Sequence, residues 1–117
     1  MELEDRIVQF AARCVKVCAA LPPKAVGSTG FSDQLFRSAT SVAANYAEAC
    51  EAESAKDFVH KLKIAMKELS ETRIWLKIIC ESEYIDGSKL AGLIGESKEL
   101  SCILSASVTT TKKKIGG

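Results

Sequence analysis

The stretch that decides the fold is FVHKLKIAMKELSETRIWLKII, residues 58–79. Its seam positions recur at alternating steps of four and three residues, as they do on the buried face of an α-helix. Those positions are Phe58, Leu62, Ala65, Leu69, Thr72, Leu76 and Ile79. Just before it, Ser54 and Asp57 have the spacing of an N-terminal capping box in which Asp replaces the usual Glu. The sequence therefore predicts a long helix over residues 54–82.

Three further helices are predicted around this one. Residues 2–21 and 32–50 repeat the same spacing, and residues 88–111 carry a weaker version with Gly92 and Gly95 near its start. Pro22 and Pro23 end the first helix because neither ring nitrogen donates a hydrogen bond. The basic segment 112–117 is predicted to fray. The seams of the first two helices are Leu3, Ile7, Phe10, Cys14, Val17 and Leu21, then Leu35, Ala39, Val42, Tyr46 and Ala49.

Composition and length agree with an all-helical domain. The 117 residues suffice for one domain, and the chain is 47% hydrophobic but only 6% aromatic, which favours helices over a β-sandwich. No segment alternates as a strand does. Because the connections after the second and third helices are short, those neighbours are expected to be antiparallel. We predict an all-α, antiparallel up-down four-helix bundle that forms a single domain over residues 1–117.

The helix over residues 54–82 carries more apolar surface than one core requires. Ile64, Trp75 and Ile78 lie away from the seam, and a helix that is apolar on two faces is generally buried on two faces. These residues are either surface hydrophobes that the fold tolerates or an interface with another subunit. We favour the interface, and with it a homo-oligomer.

Polar residues form a stripe beside the seam of the second helix and another along the third. An antiparallel arrangement is expected to bring the two stripes side by side. Three interpretations stay open: a network that fixes how the helices meet, a phosphate-binding site built on Arg37, Lys63 and Lys67, and a solvated face. The candidate network residues are Gln34, Arg37, Ser41, Asn45, Glu48, Lys67, Glu68 and Glu71.

The sequence lacks the patterns that are typical of catalytic or metal sites. His60 is the single histidine and has no cysteine near it in sequence, and no glycine-rich phosphate loop, HExxH or GxSxG motif is present. Glu48, Glu68 and Glu71 lack the Glu-x-x-His pairs of di-metal bundles. The five cysteines include no CxxC pair, which favours small core residues over a redox or metal role. We predict no catalysis, no cofactor and no metal.

Charge and hydropathy limit the classes of partner that the chain is expected to have. With 16 basic and 15 acidic residues, the chain is far less basic than a dedicated nucleic-acid binder. A local cluster still offers candidate RNA contacts at Lys63, Lys67 and the run Lys112, Lys113 and Lys114. The N-terminal MELEDRIVQF lacks the apolar segment of a signal peptide, and no apolar run is long enough to span a bilayer. We expect a cytoplasmic protein without membrane contact.

Three stretches, residues 30–49, 52–58 and 67–76, carry a specific combination of motifs. They contain Gln-x-x-Arg, Ser-x-x-x-Asn-Tyr-x-Glu and Lys-Glu-x-x-Glu-x-x-x-Trp, which begin at Gln34, Ser41 and Lys67. Residues 22–85 thereby resemble a bacterial four-helix-bundle family whose founding members are encoded by intervening sequences in 23S ribosomal RNA genes. The flanking segments agree with that family only in their helical pattern.

The resemblance implies a homo-oligomer, with a pentamer favoured, whose signature residues pack and assemble the bundle. It also implies two candidate partners, an RNA or a reverse-transcriptase-like protein, because relatives serve as accessory proteins of diversity-generating retroelements. Some relatives carry arginines around the turn between the second and third helices, where this chain has Ala47, Glu51 and Glu53. Fewer cations there weaken the RNA interpretation. We therefore expect an assembly protein first and an RNA-binding protein as the alternative.

Overall fold

The computed structural model describes residues 1–116, which form four α-helices with short connections. These are α1 (Leu3–Ala20), α2 (Ser28–Cys50), α3 (Ala55–Glu81) and α4 (Gly87–Gly116). Each helix packs antiparallel against the next, and α1 also touches α4, which closes a bundle of 53 × 22 × 22 Å. The predicted four-helix bundle is confirmed. None of the four helices is both long and apolar enough to cross a membrane.

The two ends of the bundle differ in composition. The end of α1, the start of α2, the end of α3 and the start of α4 meet at what we call the proline end, which includes Pro22 and Pro23. The opposite end holds the α2–α3 turn and the last turns of α4 with Lys112–114, and we call it the lysine end. Because α1 has 18 residues and α4 has 30, α4 continues towards the lysine end beyond the start of α1.

The helix that anchors the sequence prediction forms almost as expected. Predicted over residues 54–82, α3 spans Ala55–Glu81, and the side chain of Ser54 accepts a hydrogen bond of 3.0 Å from the backbone N–H of Asp57. This bond satisfies one of the free N–H groups at the helix start. The predicted N-cap at Ser54 is confirmed, but the return bond of a capping box, from the Ser54 N–H to the Asp57 carboxylate, is not formed among the described residues.

Two predicted helix boundaries were wrong. The second helix begins at Ser28 rather than residue 32, because Gly27 adopts a left-handed φ of 75° and its carbonyl accepts from the N–H of Phe31 at 2.9 Å. The last helix does not fray after residue 111 but runs to Gly116. Val108 is buried and Thr111 bonds back to the carbonyl of Ser107 at 2.8 Å in the turn just before residue 112, and the exposed residues 112–116 continue the helix from there. Gly117, the last residue of the predicted frayed tail, lies outside the described residues.

The core follows the predicted seams. Its fully enclosed side chains come from all four helices and are mostly aliphatic, with Phe10 as the one aromatic ring and a few small polar residues such as Thr72 and Ser38. Leu3, Val17, Tyr46 and Phe58 are seam residues that pack against this core while remaining only half-buried, because they lie at its margins. The fully buried members with the largest side chains are Phe10, Ile7, Leu35, Leu62, Leu69, Leu76, Ile79, Leu90, Leu100, Leu104, Val42 and Thr72.

Candidate assembly and binding surfaces

The centre of the α2–α3 seam is an ionic cluster built around Arg37. Its guanidinium donates to Gln34 on its own helix at 3.1 Å, and across the seam to Glu68 at 3.1 Å and to Glu71. The hydrogen bond to Glu71, and next the one to Glu68, raise the pKa of Arg37. Four of the eight residues predicted for the network are thereby brought together. Their bonds remain within one chain.

Trp75 lies at the edge of the same cluster and bonds to one of its carboxylates. Its indole N–H donates to Glu71 at 3.1 Å, and this bond and the Arg37 guanidinium lower the pKa of the Glu71 carboxyl. Lys67 lies near enough to add a favourable charge but forms no ion pair among the described residues. The pairing leaves Glu71 a carboxylate that accepts from two donors at once.

Trp75, which was predicted to lie at a subunit interface, packs against residues of its own chain, and its interface role stays a prediction. Its ring lies 6.1 Å from the ring of Phe31 in a tilted arrangement, and Phe31 in turn meets Tyr84 edge-on at 5.6 Å. The Tyr84 hydroxyl donates to the carbonyl of Val26 in the loop between α1 and α2. Trp75 is therefore half-buried without a second subunit. The packing of Phe31 on Trp75 was not predicted because Phe31 lies just before the predicted helix over residues 32–50.

The remaining network residues divide into two local sets. Asn45 donates to the carbonyl and the hydroxyl of Ser41, at 2.9 and 3.0 Å, so this pair lies along α2 and does not bridge to α3. Glu48 does reach α3, where Lys61 donates to it at 3.2 Å. Asn45 therefore plays a different role from the inter-helix role considered for it, whereas Glu48 bridges the two helices.

Sequence reasoning missed two polar contacts inside the bundle. Thr72 donates to the buried Ser38 at 2.8 Å across the α2–α3 seam, because both residues occupy core-facing helical positions. Arg73 of α3 donates to Ser97 at 2.8 Å and to Ser101 at 2.5 Å on α4. Serines at helical spacing opposite an arginine would have been a usable signal for this second contact.

The outer face of α3 exposes apolar side chains. Ile74 is 52% exposed and Ile78, one turn later, is 36% exposed, while Ile64 further along is half-buried. We call these three residues the α3 isoleucine face. Of the predicted interface residues, Ile64 and Ile78 therefore lie on an outward surface, and Ile74 has to be added to them.

A second apolar stripe lies on α1 and was not predicted. Val8 is 52% exposed and Val15 is 36% exposed, and their spacing of seven residues places them on one side of the helix. The sequence pattern hid this stripe because the core seam of α1 is so regular that the remaining valines resemble ordinary surface residues.

The candidate RNA contacts are all exposed, and two of them meet. Lys63 of α3 lies within hydrogen-bonding reach of Lys112 of α4, and this contact, followed by the repulsion between the two like charges, lowers the pKa of Lys112. Lys113 and Lys114 are exposed at the same end, whereas Lys67, which is also exposed, lies near the middle of α3 beside Glu71. The continuation of α4 to Gly116 brings the terminal lysines to this position.

Cysteines and acidic residues form no metal-binding group among residues 1–116. The five cysteines are unpaired, and burial raises the pKa of the Cys14 thiol to about 12. A thiol with that pKa is protonated at neutral pH and is a poor nucleophile. His60 is exposed on α3.

Comparisons with known proteins agree with this architecture. The model of the 23S rRNA-intervening sequence protein family matches residues 1–106. The chain is also similar to the crystal structure of a protein of unknown function from the S23 ribosomal protein family of Bacteroides thetaiotaomicron. That similarity has a TM-score of 0.81 and 34% identity, and it covers 92% of this chain and 98% of the other.

Comparison with curated proteins finds no match. Neither of the two matching descriptions names a reaction. The family resemblance predicted from the sequence is confirmed. Matched over residues 1–106 and folded as a four-helix bundle like its structural neighbour, this chain belongs to the 23S rRNA-intervening sequence protein family.

Proposed function

We propose that this protein is a non-enzymatic, homo-oligomeric interaction protein that assembles through the α3 isoleucine face. The observation that carries the proposal is the exposure of Ile74 and Ile78, two large apolar side chains one turn apart on α3. Adjacent exposed isoleucines are removed from water when a second copy covers them, which favours association.

The surroundings of these isoleucines suit an interface between copies. Lys77 and Glu81 lie beside Ile74 and Ile78 around a shallow depression, which gives an apolar centre with charges of both signs at its edge. Protein interfaces commonly have an apolar core and a polar rim. If the α3 isoleucine face of each copy contacts a different surface of the next copy, the repeated contact can close into a ring. The ring that we propose is a pentamer.

Light scattering coupled to gel filtration tests this proposal. Wild-type protein is expected at five times the subunit mass of 12.6 kDa. The double variant Ile74→Glu, Ile78→Glu is expected at the subunit mass with an unchanged circular dichroism spectrum, because a buried unpaired carboxylate opposes association.

The α1 stripe supplies a matched control. Val8→Glu with Val15→Glu changes two valines whose exposures, 52% and 36%, equal those of Ile74 and Ile78. This variant is expected to keep the wild-type mass. A wild-type monomer, or dissociation by the α1 variant but not by the α3 variant, would refute assembly through the α3 isoleucine face.

A second candidate function, RNA binding, is favoured by the meeting of Lys63 and Lys112 at the lysine end. Two ammonium groups held side by side without an ion-pair partner among the described residues favour a phosphate between them. A ring would repeat this pair in every subunit, and repetition strengthens binding to a long polyanion.

Filter binding of a structured RNA over a salt series tests the second candidate. If it is correct, affinity falls steeply with salt, and Lys63→Glu with Lys67→Glu reduces the slope by about 1 for each phosphate that the protein no longer binds. The charge-matched control Lys24→Glu with Lys98→Glu changes exposed lysines elsewhere and is expected to keep the slope. Equal losses in both variants would contradict a local site.

A further inference from the structure

A cleft between α1 and α4 opens at the proline end and is separate from the surfaces described above. Ile85, Leu90 and Leu93 line it with largely buried side chains, and Val17 and Ala20 contribute the α1 side. The cleft encloses about 260 Å³. It therefore offers an apolar floor that water reaches from one side.

Small residues lie at the cleft and beside it. Ala20 is the last residue of α1 and presents only a methyl group. On α4, Gly92 has no side chain, and a Cβ built there would lie 3.6 Å from the outer nitrogen of Arg13. The guanidinium of Arg13 thus extends over bare helix backbone. The packing of α1 on α4 is also the least extensive in the bundle.

Three cations and no carboxylate line this cleft. They are Arg13 and Lys16 of α1 and Lys89 of α4. None of them forms an ion pair within the described residues. A cluster of one sign beside an apolar, low-dielectric floor attracts a ligand of the opposite sign.

Two acids that interact with these cations already have other partners. The charge of Arg13 contributes to the lowered pKa of Glu96, but Glu96 accepts from two guanidinium nitrogens of Arg6, Nε at 2.7 Å and Nη2 at 2.8 Å. Asp86 accepts a hydrogen bond of 3.0 Å from the backbone N–H of Ser88, and this bond lowers the pKa of its carboxyl more than the charge of Lys89 does. The cations at the cleft therefore keep donors for an external anion.

We propose that this cleft binds a small amphipathic anion, of which an alkyl carboxylate is the simplest form. The alkyl chain would lie on Ile85, Leu90 and Leu93, and the carboxylate would accept from Arg13 and from Lys16 or Lys89. Pockets for drug-sized ligands enclose about 300–1,000 Å³, so a cleft of this size takes a shorter chain. The proposal stands apart from the assembly and RNA proposals above.

Calorimetric titration of the full chain with hexanoate, octanoate and decanoate tests the apolar part of the site. Each added methylene is expected to tighten binding about fourfold until the cleft is full. Octanol, which keeps the chain but lacks the charge, is expected to bind at least about tenfold more weakly than octanoate. In NMR spectra of the backbone amides, octanoate is expected to change the chemical shifts of residues 17–20 and 85–93 most. No saturable binding of octanoate, or no dependence on chain length, would overturn the proposal.

Paired variants test the location of the site. Ala20→Phe fills the cleft and is expected to abolish octanoate binding, whereas Ala12→Phe adds the same ring at another exposed position of α1 and is expected to leave it intact. Replacing all three cations with glutamine, at Arg13, Lys16 and Lys89, should reduce octanoate affinity to that of octanol, and Lys98→Gln should not. Octanoate binding that survives both cleft variants would overturn the proposal. So would a change in assembly mass caused by Ala20→Phe, because a second copy would then occupy the cleft.

Discussion

The α2–α3 seam and the α1–α4 seam of this bundle are each bridged by one arginine and two glutamates, but only the second opens into a cleft lined by cations. Between α2 and α3, Arg37 bridges to Glu68 and Glu71, and the buried hydroxyls of Thr72 and Ser38 bond to each other. Between α1 and α4, the ion-pair partners within residues 1–116 are Arg6 with Glu96 and Glu99. Beyond that point, towards the proline end, the seam opens into the cationic cleft.

This difference separates stability from binding capacity. Where donors and acceptors pair within the chain, the helices have one favourable register and little left for a ligand. Where three cations have no partner and the wall residues are small, the chain keeps a place for an outside molecule. The polar motifs that identify the family therefore belong mainly to the closed seam, and they say little about what the open one binds.

The largest expected difference between the seams is in the free energy of unfolding that is lost when a buried leucine beside each seam is replaced by alanine. Leu69→Ala removes a fully enclosed side chain of α3, and we expect a loss of about 3–5 kcal/mol in the free energy of unfolding. Leu93→Ala enlarges a cleft that water already enters, so we expect it to lower the free energy of unfolding by about 2 kcal/mol. Urea denaturation of both variants measures the difference.

Val8→Ala is the control for this pair, because Val8 is 52% exposed and its loss leaves no cavity. It is expected to change the free energy of unfolding by less than about 0.5 kcal/mol. An equal cost for Leu69→Ala and Leu93→Ala would show that the α1–α4 seam is as tightly closed as the α2–α3 seam.

The sequence predicted the closed seam much better than the open one. Regular four-three spacing places Leu69 and Thr72 in the core whatever the neighbours are, and complementary charges at Arg37 and Glu71 suggest their own partners. The cleft depends instead on which residues of α1 and α4 come level with each other. That register is set by packing over the whole bundle, so no local pattern reveals that Arg13 lies over Gly92.

The wrong boundaries have a similar physical cause. Gly27 and Gly30 resemble a loop, yet a single left-handed residue at Gly27 starts α2 early and places Phe31 against Trp75. That packing removed the reason for giving Trp75 an external partner. At the other end, threonines and lysines do not by themselves dictate where a helix stops, and Lys113 and Lys114 interact favourably with the negative end of the helix in its last turn.

A smaller effect is expected from breaking the ionic cluster of the closed seam. Arg37→Met removes the donor shared by Glu68 and Glu71 and is expected to lower the free energy of unfolding by about 1 kcal/mol. Lys61→Met removes only the isolated pair with Glu48 and is expected to cost less than about 0.5 kcal/mol. Thermal denaturation at low ionic strength compares the two. A larger effect of Lys61→Met would contradict a cooperative cluster.

Acid titration separates the charge of that cluster from its packing. The pKa of Glu71 is lowered in the folded chain, so this carboxyl contributes stability above its unfolded value of about 4.5. That contribution is lost as the pH falls through the lower, folded pKa. The melting temperature of wild type is therefore expected to drop more steeply below about pH 4.5 than that of Arg37→Met. Parallel curves for the two proteins would show that Arg37 stabilises the seam through its alkyl chain alone.

The smallest expected effect lies at the lysine end, where α3 and α4 present like charges to each other. Lys112→Gln removes the repulsion from Lys63 that lowers the pKa of Lys112, and we expect the melting temperature to rise by about 1 °C at low salt. In about 1 M salt, where screening acts within about 3 Å, the gain should vanish. Lys98→Gln is the control without a lysine neighbour of this kind. A fall in melting temperature would mean that the attraction of Lys112 to the negative end of α4 outweighs its repulsion by Lys63. The lysine end would then be built for stability, and the pair would no longer favour a phosphate.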